Sequence, residues 1–339
     1  MEIIPAGTRY DFVGKSRYFV VLSLLLVVAV LAAIPLRGLR MGIDFAGGTE
    51  ILVRFTEPLG GHDEGELRAL VTAAGVEDPS VVRYGEPEKR EFLIRFAGRA
   101  GGAKGEIVDQ LTATFEKAVG PVEILRVDFV GPRVGAELRR DGLMALTIAS
   151  VLILIYVAFR FTARFAPGAI VAILHDVILT AGFFVIAGME FDLRVLAALL
   201  AIIGYSLNDT IIVYDRIREN LALHTRAELP EVINRSINQT LSRTFLTSGT
   251  TMLAVLALLL LGGEVIRPFA IAMTVGIVVG TYSSIYVAAP VLLYLERRGA
   301  AAVAAAPAGG EVPRPARPAR PAGAGPRRRG GARKGRRSR

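Results

Sequence analysis

The chain has 339 residues, 52% of them hydrophobic, and a positive mean hydropathy of +0.47. That composition excludes an ordinary soluble domain. The formal charge of +9 sits at one end: from Arg297 onward there are 13 Lys or Arg and one acid, Glu311, a net of +12 that leaves −3 for the rest. With no cysteine there is no disulfide framework or thiolate metal site, and His62, His175 and His224 lie far apart with no HExxH, so no structural metal is expected.

Residues 1–17 read as a short cytoplasmic N-terminus. The first apolar run, 18–36, contains no Asp, Glu, Lys or Arg, and neither do 142–159, 244–263 and 268–295. Residues 165–189 carry only His175 and Asp176, and 195–214 only Asp209. A helix needs roughly 20 mainly apolar residues to cross the hydrocarbon core, and all six runs approach that length. The first is too long for a cleaved signal, is followed by Arg37 and Arg40, and lacks an A-x-A-like site. It reads as a retained transmembrane helix.

Between the first two runs, residues 37–141 read as a water-exposed domain. Residues 49–55 alternate like a strand, and 64–74 read as a helix ending at Gly75. Residues 80–84 and 91–96 read as strands joined by a turn around Gly85 and Pro87. Residues 104–119 have helical spacing up to Gly120-Pro121, and 122–130 close as a strand. The order β-α-β-β-α-β is that of a ferredoxin-like split βαβ unit. Residues 98–104 (GRAGGAK) only superficially resemble a phosphate loop: no glycine stands immediately before the lysine and no Ser or Thr follows it. Residues 142–296 form a five-helix bundle, and 297–339, rich in Ala, Pro, Gly and Arg, read as a disordered basic tail. The tail fits contact with anionic lipid headgroups or ribosomal RNA, lipid being favoured because no aromatic residue interrupts the charge.

Positive charge in the short loops sets the orientation. With the N-terminus inside, the inside segments hold Arg9, Lys15, Arg17, Arg160, Arg164, Arg216, Arg218, Arg226, Arg235 and Arg243, and the short outside loops only Arg194 and Arg267. Both termini are expected in the cytoplasm and residues 37–141 outside.

The informative residues are polar ones inside the membrane, where a charge costs from ~2.5 to 10 or more kcal/mol and marks a bundle interior or a water path. Asp209 falls ~21 Å along the fourth helix from Val195, with Ser206 and Asn208 nearby as hydrogen-bonding groups. Burial disfavours its charge and a neighbouring cation favours it, so such a carboxylate can take up and release a proton near neutral pH. Arg243 is the candidate cation, followed by the hydroxyl stripe Thr247, Thr250 and Thr251; equally, Arg243 snorkels to headgroups while the threonines satisfy backbone carbonyls. His175 and Asp176 lie near the middle of the third helix, ~100° apart around it, and read as a structural pair more readily than as a relay. Gly276 and Gly280 form a G-x-x-x-G explained by close helix packing.

Several motifs together resemble the SecD/SecF family of protein-export membrane proteins, within the RND superfamily. They are GIDFAGGT at 42–49, VGPRVGAEL at 130–138, His175-Asp176, SLNDTIIVYDRIREN at 206–220 and NRSINQTLSRT at 234–244. The resemblance covers about residues 10–296. It implies an α-helical membrane protein with six transmembrane helices in an RND-like half-transporter bundle and an inserted α+β ferredoxin-like periplasmic domain. It further implies a non-enzymatic subunit of the bacterial inner membrane that pairs with SecD. There it would use the proton gradient, with protons as coupling ion and no cofactor, to assist a translocating preprotein through the SecYEG translocon.

In that reading Asp209 and Arg243 carry the proton. His175, Asp176, Asn208 and Thr247 fit either relay or structural support. Gly47, Gly48, Gly131 and Gly135 fit either hinges or tight turns between the periplasmic domain and the bilayer-embedded helices. A small-molecule exporter subunit, a non-transporting scaffold and a membrane enzyme are the rival readings, the last without a nucleophile–base constellation to support it.

Overall fold

The computed structural model describes residue 5 and residues 8–57, 63–96, 104–160, 165–224 and 226–305. The GRAGGAK loop up to residue 103 and the basic tail beyond residue 305 lie outside the described residues.

From the N-terminus, α1 (Phe12–Arg37) opens on Asp11, whose side chain accepts from the Gly14 N–H at 2.7 Å. Such a cap satisfies one of the donors a helix start leaves over. A short helix, α2 (Ile43–Ala46), leads into β1 (Gly48–Phe55), then α3 (Glu64–Ala73), β2 (Ser80–Tyr84), a 3-10 turn at Pro87–Lys89 and β3 (Glu91–Phe96). α4 (Lys104–Ala118) and β4 (Val122–Val130) complete the inserted domain. Its sheet runs β2-β3-β1-β4 with every neighbour antiparallel, as the ferredoxin-like reading expects.

Strand alternation splits the sheet into two faces. Ile51, Val53, Phe92 and Ile94 turn to one side and bury against Leu67 and Val71 of α3 and Leu111 and Phe115 of α4. Burying each such side chain is worth about 1.5–3 kcal/mol, and this layer is the domain's core. The opposite face carries Glu50, Leu52, Leu93 and Arg95.

Five further elements complete the membrane part. They are α5 (Pro132–Arg160), α6 (Ala166–Ala187), α7 (Leu193–Leu223), α8 (Leu229–Leu261) and α9 (Gly263–Ser283), the last continuing through a π turn at Ser284–Ala288 into α10 (Ala289–Ala305). Among the described residues, six helical stretches are long and apolar enough to cross a bilayer. α6, α7 and the α9–α10 stretch have about half of their apolar windows buried, whereas α1, α5 and α8 bury little. The interior of the bundle is therefore α6, α7 and α9. Gly276 and Gly280 bring α9 against α7, since a Cβ on Gly280 would lie 2.9 Å from Ser206 Cβ and one on Gly276 would run into Ile202.

The apolar runs understated the helices. α5 begins at Pro132, so residues 132–141, read as part of the inserted domain, are its first turns; proline suits a helix start because the missing N–H would be unsatisfied anyway. α7 continues past residue 214 to Leu223 and α8 starts at Leu229, well before 244. These polar extensions hold each other: Asn220 Nδ2 donates to Ser236 Oγ at 2.9 Å and to Gln239 Oε1 at 2.8 Å.

Phe115→Ala is expected to cost the inserted domain about 3–5 kcal/mol, because the ring is fully buried and meets Phe55 edge-on at 5.6 Å. Val127→Ala, at a position 41% exposed, should stay within about 0.5 kcal/mol. Protease digestion of the domain in intact membranes compares them; equal resistance would contradict this packing.

Candidate functional site

Two buried carboxylates organise the polar interior of the bundle. α6 carries Asp176 and His175, both buried. His175 Nδ1 and Asp176 Oδ1 are 2.9 Å apart. Asp176 Oδ2 accepts from Ser206 Oγ of α7 and, at 2.7 Å, from Ser283 Oγ of α9. One carboxylate thus ties three helices together, at the place where Gly280 lets α9 approach Ser206. His175 turns back onto Asp176, so the two side chains meet although they leave α6 in different directions.

His175 also stacks on Tyr282, with ring centroids 6.1 Å apart. The Tyr282 hydroxyl donates to Phe19 O at 2.7 Å and lies 2.8 Å from Ser23 Oγ. Its single proton goes to the carbonyl, so Ser23 donates to it, which binds α1 to the same core.

Asp209 is the second carboxylate, on α7 and 1% exposed. Its partner is Ser248 of α8, whose Oγ donates to Asp209 Oδ2 at 3.3 Å. Ser248 Oγ lies 2.8 Å from Thr281 Oγ1 of α9, giving a hydroxyl chain Thr281–Ser248–Asp209. Ser206, expected beside Asp209, is committed to Asp176 instead, and Asn208 is exposed. Ser248 and Thr281 also line a groove of about 730 Å³ with largely apolar walls, including Phe12, Phe245 and Ile277, and with Asp11 and Lys15 of the N-terminal end of the chain.

Arg243 makes no ion pair with Asp209 among the described residues; its side chain is exposed on α8. The threonine stripe follows the backbone-satisfying alternative. Thr247 Oγ1 donates to Arg243 O and Thr244 O, Thr250 Oγ1 to Leu246 O and Thr247 O, and Thr251 Oγ1 to Thr247 O.

The glycines after α1 sit at a backbone crossing. Gly47 has φ +75 and a Cβ there would lie 2.8 Å from Pro132 Cα; Gly48 has φ +141 and a Cβ there would lie 2.6 Å from Phe96 O. Both conformations disfavour L side chains. Gly135 in α5 meets this crossing, a Cβ there falling 2.9 Å from Gly47 N, while Gly131 meets nothing closer than 4.0 Å. Close approach and positive φ account for glycine at 47 and 48, and close approach for glycine at 135.

Sequence reasoning passed over Ser248 and Ser283, which resemble any membrane serine until their partners 39 and 107 positions away are placed. It also quoted 234–244 without a role for its asparagines. Asn234 Oδ1 accepts from Phe12 N at 2.8 Å and Asn238 Oδ1 from Tyr10 N at 2.9 Å, while Asn238 Nδ2 donates to Tyr10 O at 2.8 Å. Those residues clamp the segment before α1.

The family model described as "Protein export membrane protein SecD/SecF, C-terminal" matches residues 110–298, and the "SecD/SecF GG Motif" matches 32–58, around the glycine crossing. The protein translocase subunit SecF of Calditerrivibrio nitroreducens is 43% identical over 303 residues, covering 87% of this chain and 96% of that protein. The chain belongs to the SecD/SecF family.

Pseudomonas aeruginosa has a SecF subunit 41% identical over 86% of this chain and 93% of its own. The crystal structure of SecDF, a translocon-associated membrane protein from Thermus thermophilus, superposes with a TM-score of 0.78 at 40% identity. It covers 87% of this chain, which spans 40% of that longer SecDF chain. This member of the SecD/SecF family is thus a multi-pass membrane protein with an inserted α+β domain and a general role in protein export.

Asp176→Ala should sharply lower the yield of folded protein, because it strips Ser206, Ser283 and His175 of their common acceptor. Ser283→Ala removes one bond and should cost about 1–3 kcal/mol. Size-exclusion profiles after detergent extraction report both; wild-type yield for Asp176→Ala would contradict the hub.

Proposed function

We propose that the chain works as the SecF-type subunit of a SecD–SecF complex in the bacterial inner membrane. There it uses the proton gradient to assist preprotein translocation through SecYEG and release on the periplasmic side. The observation that carries this reading is Asp209: a carboxylate buried among membrane helices and held, among the described residues, by one long hydroxyl bond from Ser248. A fully compensated carboxylate would be a structural anchor, as Asp176 is. One with a single weak partner is suited to gaining and losing a proton.

The relatives' names support an export role, and the fused SecDF chain supports SecD as the partner. In this reading both termini are cytoplasmic, the inserted domain is periplasmic, and the work is transport without catalysis or a cofactor. The basic stretch from Arg297 onward favours anionic lipid headgroups over the ribosome.

The groove beside Ser248 and Thr281 supports a route to Asp209 from the N-terminal end of α1. Protonation of Asp209 removes its attraction to Arg243 and lets α7 and α8 repack; release of the proton restores it. Work requires that the two arrangements differ in proton affinity. Arg243, exposed on α8, is free to meet the charge as the helices shift or to face the SecD helices.

Asparagine keeps the size and hydrogen bonding of Asp209 but cannot titrate. In membranes carrying the chain with its SecD partner, Asp209→Asn should reduce gradient-dependent preprotein export to the level seen without a gradient, with the complex still assembled. Unchanged export and unchanged gradient dependence would make Asp209 structural and leave the scaffold reading in its place.

A further inference from the structure

The helix that carries Asp209 begins at a loop fastened to the inserted domain. The loop between α6 and α7 is stitched to the segment after α1: Phe191 N donates to Arg40 O at 2.8 Å and Gly42 N to Phe191 O at 2.9 Å. Asp192 caps α7 by accepting from Val195 N at 3.0 Å, and Leu193 N donates to Asp44 Oδ2 at 3.1 Å. These bonds join the loop to residues 40–44 but reach no strand of the sheet.

A charged chain makes that second connection. Glu190 of the loop pairs with Arg95 of β3, Arg95 Nε donates to Glu50 Oε2 of β1 at 2.5 Å, and Arg126 of β4 reaches Glu50 Oε1 at 2.8 Å. Glu50 is 7% and Arg95 17% exposed. Burial works against the Arg95 charge, but the Glu190 and Glu50 carboxylates outweigh it and hold the pKa above the ordinary arginine value. The cluster borders a polar cavity of about 360 Å³ between sheet and loop. A planar guanidinium can serve two carboxylates at once, which an ammonium on a flexible stem does less well.

We propose that Arg95 and Glu190 are the coupling pair through which displacement of the Asp209 helix reaches the sheet of the inserted domain. The inference rests on the proton-coupled reading of Asp209. A helix is stiff along its axis, and the ~24 Å between Leu193 and Asp209 deliver a shift or tilt at the carboxylate to the loop. From Glu190 it passes to the strands across one ion-pair chain: Arg95 on β3, Glu50 on β1, Arg126 on β4. Arg95 and Glu190 are positioning residues; neither touches the proton path.

The test measures two quantities on one reconstituted complex with the SecD partner: proton uptake into vesicles and gradient-dependent stimulation of preprotein export. Glu190→Gln should leave proton uptake within about twofold of wild type while export stimulation falls about fivefold or more, the low end of coupling between sites. Both falling together would make the pair structural, and neither falling would remove it from the pathway; either result overturns the proposal.

The absence of cysteine from the chain permits a rescue. Glu190→Cys, in a complex whose partner is cysteine-free, should regain stimulation with a carboxyethyl thiosulfonate and not with a neutral reagent of equal length. Equal behaviour with the two reagents also overturns the proposal. Asp209→Asn is run in parallel: if it leaves proton uptake unchanged, the proton-carrier reading fails on its own, independently of the pair.

Discussion

A hydrocarbon environment offers no water to an unpaired polar group, and the interior of this bundle is arranged around that constraint. Asp176 meets it fully, with His175, Ser206 and Ser283 placed around one carboxylate on three helices. Breaking such a set leaves an uncompensated buried group, which is costlier than never having had one. The small residues of α9 follow from it. Only a glycine at 280 lets α9 come near enough for Ser206 and Ser283 to share the same oxygen. The Tyr282 bonds then carry the connection to α1.

Asp209 lies on the same helix as Ser206, one turn along, yet its surroundings differ. Among the described residues its one direct hydroxyl partner, Ser248, stands at 3.3 Å, and Arg243 is exposed. α8 and α5 leave apolar side chains such as Leu253, Leu260, Leu152 and Phe159 uncovered. Those surfaces meet lipid or other helices, and the proposed SecD partner would supply the matching half. The chain therefore combines a rigid polar core that fixes α6, α7 and α9 with a second carboxylate whose setting is open to change. The two settings differ in how fully the carboxylate is satisfied, and Ser206 and Asp209, three residues apart on α7, belong one to each.

Much of this was legible in the residues. Uninterrupted apolar runs marked the spans, because water-facing charge is what punctuates a membrane chain. Strand alternation and the Gly-Pro turns marked the order of the inserted domain, since both are local properties. What sequence could not give were contacts between distant positions. Ser206 sits three residues from Asp209 and was expected to serve it, but the approach of α9 turns it to Asp176. The threonines after Arg243 bond their own backbone, a choice their spacing leaves open. α2 escaped notice because four residues carry no period, and the polar ends of α7 and α8 because they are held by Asn220 rather than by apolar burial.

Difference infrared spectroscopy of the reconstituted complex, stepped across the neutral pH range, addresses Asp209 itself. A protonated-carboxyl band that appears and disappears with pH and is absent from Asp209→Asn is the expected result. The same pH-dependent spectrum in wild type and Asp209→Asn would show that this carboxylate keeps one protonation state, which contradicts a proton-carrying Asp209.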